Sequence, residues 1–179
     1  MRRRWVDIAI LVVLVAVLAA WLRDDPEAHL RRAREHMQAG RYGPAAEEYT
    51  RVIQLQPGRT VAYSERAVAW QHRGRYEEAH QDHQRALELG DTSAANRNGL
   101  AWSLCMLHRY AEALPHAEEA CRLEPGTAEY LDTRGVAHLG LGNLEDAQRD
   151  IEQAYDLAPL SFRYQAHLMQ VVTRSLTAP

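Results

Sequence analysis

The sequence predicts an all-α solenoid, and three observations carry that prediction. Glycine, tyrosine and alanine recur at a step of 34 residues through most of the chain. Apolar residues within each period fall at helical spacing. One apolar run at the N terminus stands outside the repeats and has the length of a membrane-spanning helix.

The N-terminal run comes first. Arg2, Arg3 and Arg4 precede an apolar stretch from Trp5 to Leu22 that only Asp7 interrupts. Eighteen residues rise about 27 Å as a helix, close to the roughly 30 Å of bilayer hydrocarbon. Trp5 and Trp21 stand where interfacial aromatics belong, and Asp7 is near enough to one end to reach headgroups. Residues 1–24 are therefore expected to be a single-pass anchor. A cleaved signal peptide, with Val17-Leu18-Ala19 before the cut, and a buried helix are the alternatives. The triple Arg places the N terminus inside and the body outside, as expected of a bacterial inner-membrane protein with its body on the non-cytoplasmic side.

The repeats follow. Gly40, Gly74, His108 and Gly142 are spaced by 34, as are Tyr42, Tyr76, Tyr110 and Leu144. Ala45, Ala79, Ala113 and Ala147 keep the step without exception, and Pro57, Pro125 and Pro159 close three of the units. This pattern resembles the tetratricopeptide repeat family, whose helix–turn–helix unit has this period. The resemblance covers 25–161 as four units, 26–59, 60–93, 94–127 and 128–161. It implies a right-handed solenoid.

Small residues occupy the eighth place of each unit, Ala33, Ala67, Ala101 and Gly135, and meet the Ala45 series where paired helices approach closely. Arg32, Arg66 and Arg134 share one place in the first helix, and Glu48, Asp82 and Asp150 share one in the second. In unit three both change together, to Leu100 and His116. The spacing predicts an ion pair within three units and none in the third. Residues 162–179 are expected to form a capping helix and tail, with Phe162, Ala166, Met169, Val172 or Thr173, and Leu176 as the stripe that covers unit four.

Composition narrows the function. All 21 basic residues are Arg, so Schiff-base chemistry, a P-loop lysine and a kinase lysine are excluded. Residues 24–179 carry 17 Arg against 23 carboxylates, a poor match for nucleic acid. No nucleophile elbow, zinc-protease helix or phosphate loop is present, so no enzyme is expected. His80 and His83 lie i,i+3, but no ligand set completes a tetrahedral site, and no metal or cofactor is expected. Cys105 and Cys121 would be offset by roughly 12 Å along antiparallel helices, beyond disulfide reach.

The resemblance implies a binding surface instead. First helices of successive units line a concave groove in this family. By position that groove holds Ser64, Val68, Gln71, Asn98, Trp102, Cys105, Asp132, Val136 and Leu139, with Met106 and Glu129 nearby. Trp102 could anchor a partner or pack against the next unit. The places at which chaperone-tail-binding members clamp a carboxylate hold Leu30, Arg34, Glu65, Ala95 and Gly99, or Ser64, Val68, Gly99, Glu129 and Thr133 one unit later. Neither set is cationic. The expected role is a non-catalytic scaffold at a membrane that binds a peptide or helix of a protein partner, apolar or basic. Alternatives are a holdase-like assembly factor for envelope or cytochrome proteins, a self-associating module using the groove or the helix beyond Pro159, and a metal or redox protein.

Overall fold

The structure is a computed structural model that describes residues 10–13, 15 and 24–177. From Pro26 onward it consists of nine helices: α1 (Pro26–Gln38), α2 (Tyr42–Leu55), α3 (Thr60–His72), α4 (Tyr76–Glu88), α5 (Ala94–Met106), α6 (Tyr110–Leu123), α7 (Ala128–Leu141), α8 (Leu144–Leu157) and α9 (Phe162–Thr177). No strand occurs among the described residues. The odd-numbered helices begin 34 residues apart, at positions 26, 60, 94, 128 and 162. Each helix packs on its chain neighbours, and α3, α5, α7 and α9 also touch in series along one face. The anchor expected over residues 1–24 lies almost wholly outside the described residues. Among those described, no helix is long and apolar enough to cross a membrane.

Local chemistry sets the helix ends. The Asp25 carboxylate accepts the N–H groups of Glu27 and Ala28 at 3.1 and 3.2 Å, with Pro26 at the first helical position. Ser93 Oγ accepts the Asn96 N–H at 3.3 Å and caps α5. Within each unit the turn closes by one recurring bond. The N–H of Arg41, Arg75, Arg109 or Asn143 donates to the carbonyl five residues back, at 2.8–3.0 Å. This geometry needs a left-handed residue just before the donor. Gly40, Gly74 and Gly142 supply it with φ of +68°, +71° and +83°, and His108 adopts φ +59° in the same place.

The core is a ladder of small side chains. Ala33, Ala67 and Ala101 on first helices, and Ala45, Ala79, Ala113 and Ala147 on second helices, are completely buried. Unit four needs glycine where the others have alanine. A Cβ on Gly135 would lie 2.5 Å from Ile151 Cγ1, because Ile151 fills that layer of the core.

The ion pairs form where the register places them. Arg66 donates to both Asp82 oxygens at 2.7 Å, and Arg134 to both Asp150 oxygens at 2.7 Å. In unit one, Glu48 accepts from Arg32 at 3.2 Å and from His29 at 2.5 Å. In unit three, Leu100 is fully buried in an apolar cluster with Leu104, Ala113 and Ala117.

The C-terminal helix docks by a face other than the one expected. Tyr164 and Val171 are buried, with Leu168 packed beside Val171 and Leu139. Phe162, Ala166, Met169, Val172, Thr173 and Leu176 are exposed. Two stripes at helical spacing coexist on α9. Polar contacts choose between them: Arg163 and His167, beside the Tyr164 stripe, both reach Asp132 in α7.

Candidate partner-binding groove

The face shared by α3, α5, α7 and α9 carries the groove, and α9 closes its C-terminal end. Gln71 on α3 ties the first two walls together, its Nε2 donating to the Gly99 carbonyl at 2.7 Å and to Ser103 Oγ at 2.9 Å. Asn98 on α5 donates to Glu129 on α7 at 3.4 Å. Asp132 on α7 is completely buried and accepts from Arg163 Nε at 2.8 Å and His167 Nδ1 at 2.6 Å. The Arg163 guanidinium lies over the Trp102 ring, 4.5 Å from its centroid.

These contacts leave a cavity of about 400 Å³ lined by Val68, Gln71, Asn98, Trp102 and Glu129 among others. Five of the eleven groove residues expected from the sequence therefore converge. The Trp102 ring is half-buried, packing beneath Arg163 of α9 while lining the cavity. Cys105, Met106, Val136 and Leu139 line a separate pocket of about 180 Å³, walled on its far side by His167, Gln170 and Arg174 of α9. Ser64 is partly buried on α3, its hydroxyl donating to the Val61 carbonyl at 3.3 Å, and lines neither cavity.

Several expected groove side chains present little surface. Asn98, Cys105, Asp132 and Leu139 are buried, because the next first helix packs over each of them. Burial pushes the Cys105 thiol up to about 12, so it is not a thiolate at neutral pH. Cys121 is also buried and unpaired by a disulfide. Among the described residues, no cluster of three or more His, Cys, Asp or Glu could hold a metal ion.

Sequence reasoning missed Arg163, His167 and His83. Arg163 lies one 34-residue step beyond Glu129, so reading α9 as the first helix of a fifth unit would have found it. His83, on α4, lines the main cavity from below, where Gly99 leaves room for its ring: a Cβ at Gly99 would overlap the imidazole. Its Nδ1–H donates to Asn96 Oδ1 at 2.8 Å, and Asn96 Nδ2 donates to the His83 carbonyl at 3.1 Å. Burial, ahead of all else, lowers the His83 pKa and keeps the ring neutral.

The groove is close to electrically balanced. Glu65 is held by Arg34 through bonds of 2.8–3.1 Å, and Asp132 by α9. Among the described residues, Glu129 stands exposed at the cavity rim and makes no ion pair. The carboxylates of Glu65 and Asp132 are therefore neutralised from within.

Known proteins agree with this architecture. The Hsp70-Hsp90 organizing protein of Triticum aestivum is 34% identical over 86 residues, which is 48% of this chain and 15% of that protein. DnaJ homolog subfamily C member 7 of Mus musculus is 29% identical over 96 residues, 54% of this chain and 19% of its own. The chain thus spans less than a fifth of the length of these relatives. Among solved structures, MamA 41-end from Desulfovibrio magneticus RS-1 superposes with a TM-score of 0.74 at 19% identity, covering 84% of this chain and 85% of its own. YrrB, described as a tetratricopeptide repeat protein with an unusual peptide-binding site, gives 0.70 at 18% identity, covering 86% and 79%. Two tetratricopeptide repeat models match, one at residues 13–60 and 30–98 and the other at 128–159, and the chain belongs to the tetratricopeptide repeat family.

Proposed function

We propose that this protein is a non-catalytic scaffold whose groove holds an extended peptide or a helix of a protein partner at a membrane surface. The observation that supports this most is the 400 Å³ cavity with a half-exposed Trp102 in its wall, rimmed by polar groups from α3, α5, α7 and α9. A buried aromatic anchor in such a pocket typically carries about 2 kcal/mol or more of binding energy. Because two groove carboxylates are already paired, an apolar segment is favoured over a strongly basic one, with Glu129 available to a single cation at the rim.

Residues 1–24 would anchor the chain by one span, in a bacterial inner membrane with the solenoid on the non-cytoplasmic side. Confinement of scaffold and partner to one membrane raises their effective concentration, so modest groove affinity suffices. The co-chaperone names of the relatives favour a second reading, a holdase-like assembly factor whose clients are unfolded apolar segments. A carboxylate-terminated chaperone tail is not the expected ligand, since Arg34 is occupied by Glu65 and Leu30 is buried.

Photo-crosslinking from position 102 in native membranes, with a control probe at Glu78, tests the reading. One discrete partner captured from 102, not from 78, and lost on Val68→Asp is the expected result. A ladder of many unfolded clients would favour the holdase. Equal or absent capture at both positions would remove the groove as the working surface.

A further inference from the structure

Among the described residues the outward face of α9 has no partner, and its pattern specifies one. Phe162, Met169 and Leu176 are 86, 72 and 81% exposed, and Ala166 and Thr173 between them are exposed as well. With Val172 beside Thr173, the places 162, 166, 169, 172 and 176 are spaced by four, three, three and four, a seam at helical spacing. Every earlier first helix is covered on the corresponding side by its own second helix, which meets a small residue there. On α9 the residue at that place is Met169, too large for the close approach seen in the four units. The seam therefore suits an occupant at ordinary interhelical distance.

Three features narrow the occupant. The seam carries no charge. Both cations of α9 are turned away from it: Arg163 is bound to Asp132, and Arg174 donates to the Leu139 carbonyl at 2.9 Å. A bilayer-lying helix would instead present its Lys or Arg to headgroups on either side of the apolar stripe. Most specifically, the seam is symmetric about Met169, with Phe162 seven residues before it and Leu176 seven after. An antiparallel copy of the same helix would set Phe162 against Leu176, Ala166 against Val172 and Met169 against itself. That is the self-complementarity an isologous two-fold contact requires.

We propose that α9 is a homodimerisation helix, pairing antiparallel with α9 of a second copy about an axis at Met169. The face is about 24 Å long and about 10 Å wide, small beside the roughly 800 Å² per partner of a standard interface. The dimer is accordingly weak in dilute solution and populated where copies are concentrated. This contact lies on the side of α9 away from Asp132, so it leaves the groove open and would double it.

Cysteine crosslinking of the full-length chain in native membranes tests the pairing. The native thiols are buried, which keeps the background low. With a short bismaleimide, Met169→Cys gives a homodimer adduct, and co-expressed Phe162→Cys and Leu176→Cys chains crosslink to each other. Phe162→Cys alone gives at least tenfold less adduct, because its two copies would lie about 21 Å apart. Met169→Asp lowers the dimer fraction at least tenfold in sedimentation of the detergent-solubilised chain, with helical content unchanged. Equal adducts from all three cysteine positions overturn the antiparallel register. Met169→Cys captured only by a protein of another mass, or shielded from a water-soluble maleimide without any adduct, assigns the face to a partner protein or to lipid and overturns the proposal.

Discussion

In unit two the junction between paired helices is ionic: Arg66 grips both oxygens of Asp82 and reaches back to Thr50 Oγ1 at 2.8 Å, tying α2, α3 and α4 together. In unit three the same two places hold Leu100 and His116, and the junction is an apolar cluster. The helices nevertheless start at the same 34-residue steps. The backbone arrangement is thus set by the alanine ladder and the turns. The ion pair is one of two interchangeable fillings, and both members must change together, since a lone buried charge is what the site cannot hold.

Breaking the pair from one side should give the largest effect. Asp82→Ala leaves the Arg66 side chain, only 17% exposed, without its carboxylate, and should cost about 3 kcal/mol. The double change Arg66→Leu with Asp82→His, which transplants the unit-three solution, should cost about 1 kcal/mol or less despite removing more contacts. Thermal and urea unfolding by circular dichroism checks both. A double variant as damaged as the single one would show that the two fillings are not interchangeable.

The small-residue ladder sharpens the comparison at the next magnitude. Gly135→Ala in unit four drives a methyl into Ile151 and should cost about 1–3 kcal/mol by overpacking. The reverse change in unit three, Ala101→Gly, creates no clash and should cost about 1 kcal/mol from helix propensity. Ile151→Val should rescue Gly135→Ala in part. A Gly135→Ala penalty that Ile151→Val fails to relieve, or no penalty at all, would contradict the packing argument.

The junction of units two and three should also be the acid-sensitive part of the solenoid. His80, His83 and His116 all have lowered pKa values, with burial the first cause in each and Arg109 or Arg97 adding to it at His80 and His116. The folded state therefore holds these rings neutral while the unfolded chain takes up protons near the ordinary value of 6.5. Stability is full above that value. It declines as pH falls below it, by at most about 1.4 kcal/mol per pH unit per histidine, until each depressed pKa is reached. Unfolding midpoints measured from pH 7.5 to 5 should show this slope, and His83→Gln should flatten it. An unchanged slope would move the sensitivity elsewhere. Glu48 acts in a lower window. Burial raises its pKa, but the bonds from His29 and Arg32 outweigh that and lower it overall, so its contribution is lost only below about 4.5.

What could be read from the sequence follows the same division. Places fixed by backbone geometry, such as the left-handed turn residue, the buried alanines and the ion-pair register, repeat at 34 and can be counted along the chain. Places fixed by what packs over them cannot. Asn98, Asp132 and Leu139 occupy groove positions in the repeat, yet the following first helix covers them. On α9 two apolar stripes compete, and the larger side chains of Phe162, Met169 and Leu176 drew the reading to the outward one. The deciding contacts, Arg163 and His167 with Asp132, join residues 31 and 35 apart across a unit boundary, which no single helix pattern reveals.

The smallest effect isolates the turn of unit three. His108 holds φ +59° where the other units use glycine, a conformation that L side chains enter at a cost of about 1–3 kcal/mol. Two contacts offset that cost: Tyr110 Oη lies 2.7 Å from His108 Nδ1, and the Tyr110 ring packs over Gly140 so closely that a Cβ there would overlap it. His108→Gly removes the strain but adds freedom to the unfolded chain and frees the tyrosine hydroxyl into solvent. The net expectation is a gain of about 0.5–1 kcal/mol, read as a small rise in unfolding midpoint. Tyr110→Phe removes the same hydrogen bond while keeping the strained histidine, so it should lower stability by a few tenths of a kcal/mol to about 1 kcal/mol. A loss on His108→Gly as large as that on Tyr110→Phe would mean that the histidine–tyrosine contact, rather than the repeat geometry, holds this turn in register.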